Sequence, residues 1–272
     1  MIQNFELGIS TWFGYKLSYE ERIKLIKDAG FQSVMIWWGE ENENKETTPQ
    51  IARKYGLKIE NLHFPFADIN SIWENSIEGE ELFNKYLLNI DDCKVHEIST
   101  AVMHVTQGGN TPQCGKLGLD RFKRLIENAE KNNVTIALEN VWTPDYLDYL
   151  FNNIESDKLK FCYDSGHENC FTAGTDCLAK FCNKLVALHL HDNDGTGDQH
   201  ALPFSGTVKW ERITNKLREL KYKGTIALEL EAQYSNAVNE YTAPAFLLEA
   251  RNRAQKLVNM VSSNTKKEVP NT

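Results

Sequence analysis

The feature that most constrains this chain is an alternation, repeated eight times, of a short apolar strand pattern with a longer segment of helical periodicity. The strand patterns fall at 6–11, 33–38, 58–64, 99–105, 134–140, 159–164, 185–191 and 224–230. Consecutive parallel strands need a crossover, a helix supplies it, and eight such units close a sheet on itself. The faces of the strands agree with closure. Val134, Ile136 and Leu138 share one side of their strand, whereas Thr135, Ala137 and Glu139 share the other. In the last strand Thr225, Ala227, Glu229 and Glu231 oppose Ile226, Leu228 and Leu230, and in the seventh Ala187, His189 and His191 oppose Val186, Leu188 and Leu190. Small or polar residues then point into a barrel and large aliphatics towards surrounding helices. Ser18 and Glu21 form a capping box ahead of a helix that Gly30 closes, and LDRFKRLIENAEKNN carries its apolar residues at helical spacing. A doubly wound open sheet would suit the same alternation, but no GxGxxG or Walker-type loop follows any strand. The expected fold class is therefore α/β, a single (β/α)8 barrel, and no organic cofactor is expected.

The 272 residues contain no Pro-, Gly- or Ser-rich linker, which favours one barrel domain over 1–262 followed by a polar C-terminal tail, 263–272. A net charge of −8 gives no global basic footprint for non-specific nucleic-acid binding. Six cysteines without a CxxC pair read as reduced thiols. The start, MIQNFELGIS, has neither a basic n-region nor an apolar h-region, and no apolar run approaches 18 residues, so no membrane association and a cytoplasmic location are expected. A homo-oligomer is compatible with these features.

The chemistry gathers at the C-terminal ends of the strands, where barrels of this kind build their sites. His63, His104, Glu139, Asp164, His189 and Glu229 stand there in succession. Any one of them alone reads as a helix cap or a satisfied core histidine, but six successive strand ends bearing imidazole or carboxylate point to a divalent cation such as Mn, Zn, Mg or Co. After His189 the chain runs through HDNDGTGDQH, which adds His191, Asp198 and His200. Trp12, Phe13, Trp37, Trp38 and Trp142 fall at or just beyond strand ends, where aromatic faces can stack on a ligand or pack the top of the barrel.

Glu139 in ALEN, Asp164 and His167 in YDSGH, His189 in HLHDN and Glu229 after YKGTIAL resemble the motifs of the xylose isomerase-like TIM barrels. That superfamily holds sugar phosphate isomerases/epimerases and family-2 AP endonucleases, and the resemblance covers nearly the whole chain. In the sugar-epimerase branch the positions matching Glu139, Asp164, His189 and Glu229 bind one divalent cation, and the position matching His167 contacts substrate. The HxxD pattern fits both His189 and His191; the fuller match of HLHDN to the family's HLxDN favours His189, with His191 kept as the alternative ligand.

The resemblance implies a metal-dependent isomerase or epimerase of a small sugar or sugar phosphate. Glu139 and Glu229 would move a proton alpha to a carbonyl through an enediolate, and His167 would orient a hydroxyl. Trp12, Trp37, Trp142 and His191 are the expected substrate contacts. The competing branch is the endonuclease-IV type, a zinc-dependent phosphodiester hydrolase that acts on abasic DNA with three ions. Its additional ligand positions look like His63, His104, His167, Asp198 and His200, all present here. Against it, the loop before the DQH motif is short, LPFSGTVKW replaces the nuclease's glycine-rich segment, and TVKW resembles the IDW of the sugar enzymes. A non-catalytic metal- or sugar-binding barrel is a third reading, disfavoured by the intact ligand set.

Overall fold

The computed structural model describes residues 5–39 and 44–263. The polar tail expected at 263–272 lies, beyond its first residue, outside the described residues. Eight strands alternate with helices: β1 (Leu7–Ser10), α1 (Tyr19–Asp28), β2 (Ser33–Trp37), α2 (Thr48–Lys54), β3 (Lys58–His63), α3 (Ile77–Val95), β4 (Thr100–Met103), α4 (Lys116–Asn132), β5 (Thr135–Glu139), α5 (Asp145–Asn153), β6 (Leu159–Asp164), α6 (Ser165–Phe171), α7 (Cys177–Lys180), β7 (Leu185–His189), α8 (Trp210–Glu219), β8 (Ile226–Leu228) and α9 (Ala243–Ser262). All sheet pairings are parallel, in the order β7-β6-β5-β4-β3-β2-β1-β8. The two ends of that order meet at a parallel bridge between Leu190 and Leu228, where Leu190 N–H donates to the Ala227 carbonyl at 3.0 Å and Glu229 N–H to the Leu190 carbonyl at 3.2 Å. The sheet is thus the expected (β/α)8 barrel, closed by a thin seam.

The two faces of the strands separate as their alternation predicts. Val102, Ala137, Cys162 and Ala187 form a small cluster inside the barrel. Ile136, Leu138, Phe161, Leu188 and Leu228 face outwards into the large core shared with the helices. Helix α4 buries Leu119, Phe122, Leu125, Ile126 and Ala129 on that core, one stripe at helical spacing. Helix α1 starts at the Ser18–Glu21 capping box, and Gly30, at φ +92°, takes the left-handed turn beyond its end, a conformation that costs a side-chain-bearing residue more than glycine.

The strands are shorter than the apolar patterns suggest, because the pattern continues where ladder pairing stops. The last strand pattern, 224–230, contributes only Ile226–Leu228 to the ladder, and Glu229 lies past its end. One face assignment needs correction. The β6–β7 register shifts between Phe161 and Cys162, so that Phe161 pairs with Leu185 but Cys162 with Ala187. The skipped residue, Val186, packs against the inner cluster and not on the outer face with Leu188. The cysteines carry no disulfide. Among the described residues no helix is long and apolar enough to cross a membrane.

Candidate metal centre and active-site cavity

The C-terminal ends of the strands bring the expected residues together. Glu139 ends β5 and is fully buried, and four imidazoles surround its carboxylate. His63 Nε2 and His189 Nδ1 lie 3.2 Å from its oxygens, His167 Nδ1 3.4 Å and His104 Nε2 3.5 Å. His189 Nδ1 is also 3.2 Å from Glu229, which stands just past β8. Asp164 caps α6 by accepting from the His167 backbone N–H at 2.6 Å, and its carboxylate meets His191 Nε2 at 3.1 Å. On the outer side Asp198 lies 3.3 Å from His167 Nε2, 3.1 Å from His200 Nε2 and 3.6 Å from His191 Nε2.

Backbone carbonyls set the tautomers of three of these rings. His63 Nδ1 is 2.9 Å from the Phe64 carbonyl, His167 Nδ1 3.1 Å from that of Asn140, and His200 Nδ1 3.1 Å from that of Glu229. A carbonyl only accepts, so each Nδ1 carries a proton and each Nε2 faces the carboxylates, where it donates to them when protonated and can lend its lone pair to a cation when not, as metal-binding histidines are usually held. The donor atoms form overlapping groups within which all lie no more than 4.8 Å apart, three of which together hold every histidine and carboxylate of the centre: Glu139, Asp164, His189 and Glu229; His63, His104 and Glu139; and His167, His191, Asp198 and His200. His189 Nε2, His191 Nδ1 and Asp198 Oδ1 are buried without a hydrogen-bond partner. Mixed imidazole and carboxylate donors at this spacing, with buried polar atoms left over, fit a divalent cation.

Charge balance explains the protonation of the cluster. Burial pushes the Glu139 carboxyl up, but His189, His104 and His167 outweigh it and hold it well below the usual carboxylate range. Glu229 and Asp198 are likewise held down against burial, by His189 and by His167 with His200 respectively. Neighbouring carboxylates raise His167, His189 and His200, the last pushed up to about 10 by Asp198 against burial, whereas burial holds His104 below the ordinary imidazole value despite Glu139. Without a cation, protons on the rings balance the carboxylates.

Above this cluster opens a cavity of about 790 Å3. Trp12, Trp37 and Trp142 reach its wall, together with Phe66 and Phe171. Trp142 stacks on Phe171 at 3.9 Å and Phe66 on His104 at 4.0 Å. The other two aromatics near the strand ends belong to the core: Phe13 and Trp38 are fully buried, and Trp38 Nε1 donates to Asp92 at 2.9 Å. His167, His189, Asp198, His200 and Glu229 also line the cavity. His191 does not, which corrects its expected role as a substrate contact. It is fully buried, stacked on His200 at 4.1 Å and turned towards Asp164. The choice of His189 over His191 for the inner group agrees with the donor spacing, since His191 falls in the outer group.

Two charged residues of the wall were missed from the sequence, Glu231 and Arg22. Glu231 accepts from Trp12 Nε1 at 3.0 Å and from Gln233 Nε2 at 2.9 Å. Its signal was present, because the alternation TIALELE puts it on the same face as Glu229. Arg22 had no such signal, since the periodicity of α1 does not separate it from solvent-facing charges.

The fold and its mouth define a class, a parallel (β/α)8 barrel with a histidine- and carboxylate-rich centre at the C-terminal ends of its strands. The chain belongs to the xylose isomerase-like TIM barrel family, whose model matches residues 23–251. An uncharacterized protein of Sinorhizobium fredii, y4fM, is 34% identical over 267 residues, covering 80% of this chain and 84% of the relative. Among solved structures, D-psicose 3-epimerase from Clostridium cellulolyticum H10, determined with D-tagatose, is similar at a TM-score of 0.73 and 13% identity, covering 95% of this chain and 100% of that one. A D-tagatose 3-epimerase-like protein is similar at a TM-score of 0.74 and 20% identity, covering 94% and 98%. At such identities the structural likeness speaks for the fold.

Proposed function

We propose that this chain is a divalent-metal-dependent isomerase or epimerase of a small sugar. The observation that carries the reading is the inner donor group, Glu139, Asp164, His189 and Glu229, lying beneath a cavity walled by Trp12, Trp37 and Trp142. Ketose 3-epimerases among the structural neighbours support it.

The proton on a carbon next to a carbonyl is too weakly acidic for an unaided carboxylate. A bound divalent cation would supply the missing acidity by polarising the carbonyl and stabilising negative charge on oxygen. Glu229 lines the cavity and is the carboxylate proposed to take the proton. For isomerisation one such base on one face of the sugar suffices. Inversion at carbon needs a second group across the sugar plane, and Glu139 on β5 is the carboxylate proposed for it. Glu139 lies under the imidazoles, beneath the cavity wall, and its role is tested by Glu139→Gln, in which exchange should be lost. His167 lines the cavity and is proposed to hold a substrate hydroxyl, while the tryptophans exclude water from the enediolate.

The second and third donor groups favour a second reading, a zinc-dependent AP endonuclease holding three ions. The net charge of −8 and a described cavity wall with one Lys or Arg, Arg22, weigh against a path for a DNA backbone. Incubation with ketoses in heavy water tests the proposal: deuterium should enter alpha to the carbonyl, and a duplex with an abasic site should stay intact. Clean nicking of that duplex, lost in His104→Ala, with no sugar exchange, would put the nuclease first.

A further inference from the structure

Arg22 is the one Lys or Arg among the described residues that line the cavity. It is held firmly there. Nη1 donates to the Thr11 carbonyl at 3.0 Å, and the guanidinium lies 5.2 Å from the centre of the Trp12 ring and 5.5 Å from that of Tyr19. No described carboxylate pairs with it. Three other partly or fully buried arginines do have such partners: Arg121 meets Glu80, Arg212 meets Glu168 and Asp176, and Arg253 meets Glu249. Arg22 Nε is buried with no hydrogen-bond partner at all. Burial pulls its pKa below the ordinary arginine value, with Tyr19 alone opposing. A desolvated, pre-oriented cation without a counter-charge is an unfavourable arrangement unless a ligand completes it. The wall also carries Glu231 and the carboxylates Asp198 and Glu229, which pair with its histidines, and no Lys or second Arg stands beside Arg22 among the described wall residues.

We propose that Arg22 is an anion-recognition residue and that the ligand of this cavity is an anionic sugar, a phosphate ester or a sugar carboxylate. The inference rests on the sugar reading of the same site. The carbonyl end of the substrate would lie towards the carboxylate and imidazole cluster, and the anionic group would take the free donors of Arg22. A guanidinium offers five N–H donors, of which the Thr11 contact uses one, and its planar fork suits the paired oxygens of carboxylate or phosphate. A cavity of about 790 Å3 has room for a phosphorylated hexose.

Calorimetric titration of the cation-loaded full chain with D-fructose, D-fructose 6-phosphate and D-fructuronate tests this, the last two separating phosphate from carboxylate. At least one anionic sugar should bind about tenfold or more tighter than fructose, and Arg22→Gln should cut that preference to less than about threefold. Should the glutamine variant fail to fold, Arg22→Lys decides: it keeps the charge but loses the fork, so the preference must fall by at least about threefold. An unchanged preference in either folded variant would overturn the proposal. Fructose binding with no preference for its anionic relatives would overturn it while leaving the sugar reading intact. Failure of all three ligands to bind would overturn both.

Discussion

His189 on β7 and Glu139 on β5 meet inside the barrel mouth over the intervening β6, Nδ1 to carboxylate oxygen, at 3.2 Å, with neither side chain exposed. The same nitrogen is equally close to Glu229, so His189 joins two carboxylates that come from strands far apart in sequence. An uncompensated pair of buried carboxylates would be costly, and a cation or a protonated imidazole between them removes that cost. Truncating Glu139, Asp164, His189 or Glu229 to Ala should therefore lower cation affinity by at least about a hundredfold while the barrel survives, because the aliphatic layer lies outside the site. Metal content after gel filtration, with circular dichroism for the fold, checks this. Full metal retention in His189→Ala would transfer the role to His191.

The raised pKa of His200 gives a pH dependence with a defined sign. His200 goes from about 6.5 in the unfolded chain to about 10 in the metal-free fold, because Asp198 outweighs the opposing effect of burial. A raised pKa stabilises the fold fully below the unfolded value, and that stability is lost as pH rises towards the folded one. The metal-free protein should therefore lose melting temperature between about pH 6.5 and pH 10. Cation binding needs the imidazoles deprotonated, so loading should release protons and tighten as pH rises. A metal-free melting temperature that climbs across this range would contradict the assignment.

Gly166 sits where α6 passes His191. A Cβ built there would lie 1.9 Å from His191 Cε1, closer than any real contact. Gly166→Ala should force His191 aside, destabilise the protein by about 1–3 kcal/mol, and weaken any cation held by the outer group. Chemical denaturation together with metal counting reads both effects, and a variant as stable as the parent would show that His191 is free to move.

Asp192 anchors the loop that carries Asp198 and His200. Fully buried, it accepts from the backbone N–H of Asn193 at 2.9 Å and of Val208 at 3.1 Å, and from Trp210 Nε1 at 2.8 Å. Asp192→Ala strands three donors and should cost about 3 kcal/mol or more in urea denaturation. A loss below about 1 kcal/mol would mean that water replaces the carboxylate readily.

Much of this architecture could be read from residues alone, for reasons that differ by element. Period-two alternation in β5 and β8 put Ala137, Glu139, Ala227 and Glu229 on one face, and a closed barrel leaves that face only one place to go. The strand-end position of His63, His104 and Asp164 then brought them to one mouth. What escaped depended on side chains packing across elements. The shift at Phe161 and Cys162 that turns Val186 inwards has no local signature. Trp37 and Trp38 are adjacent and alike in sequence, yet opposite faces of the chain send one to the cavity and the other to Asp92. His191 was legible as an inward residue but not as one turned aside by Asp164. Arg22 matters only through what lies around it, which no spacing along α1 reveals.

The central claim is that a cation held by the inner group drives proton transfer on a sugar. It is tested most directly by titrating the metal-free protein with manganese or cobalt while following deuterium uptake into a ketose in heavy water, with D-fructose and D-fructose 6-phosphate as substrates. Exchange should be absent before cation is added, rise with it, and saturate near about one cation per chain. It should vanish in Glu229→Gln and in Glu139→Gln. Exchange that persists after chelation, or none at any cation level in a protein that has taken up the metal, would contradict the account.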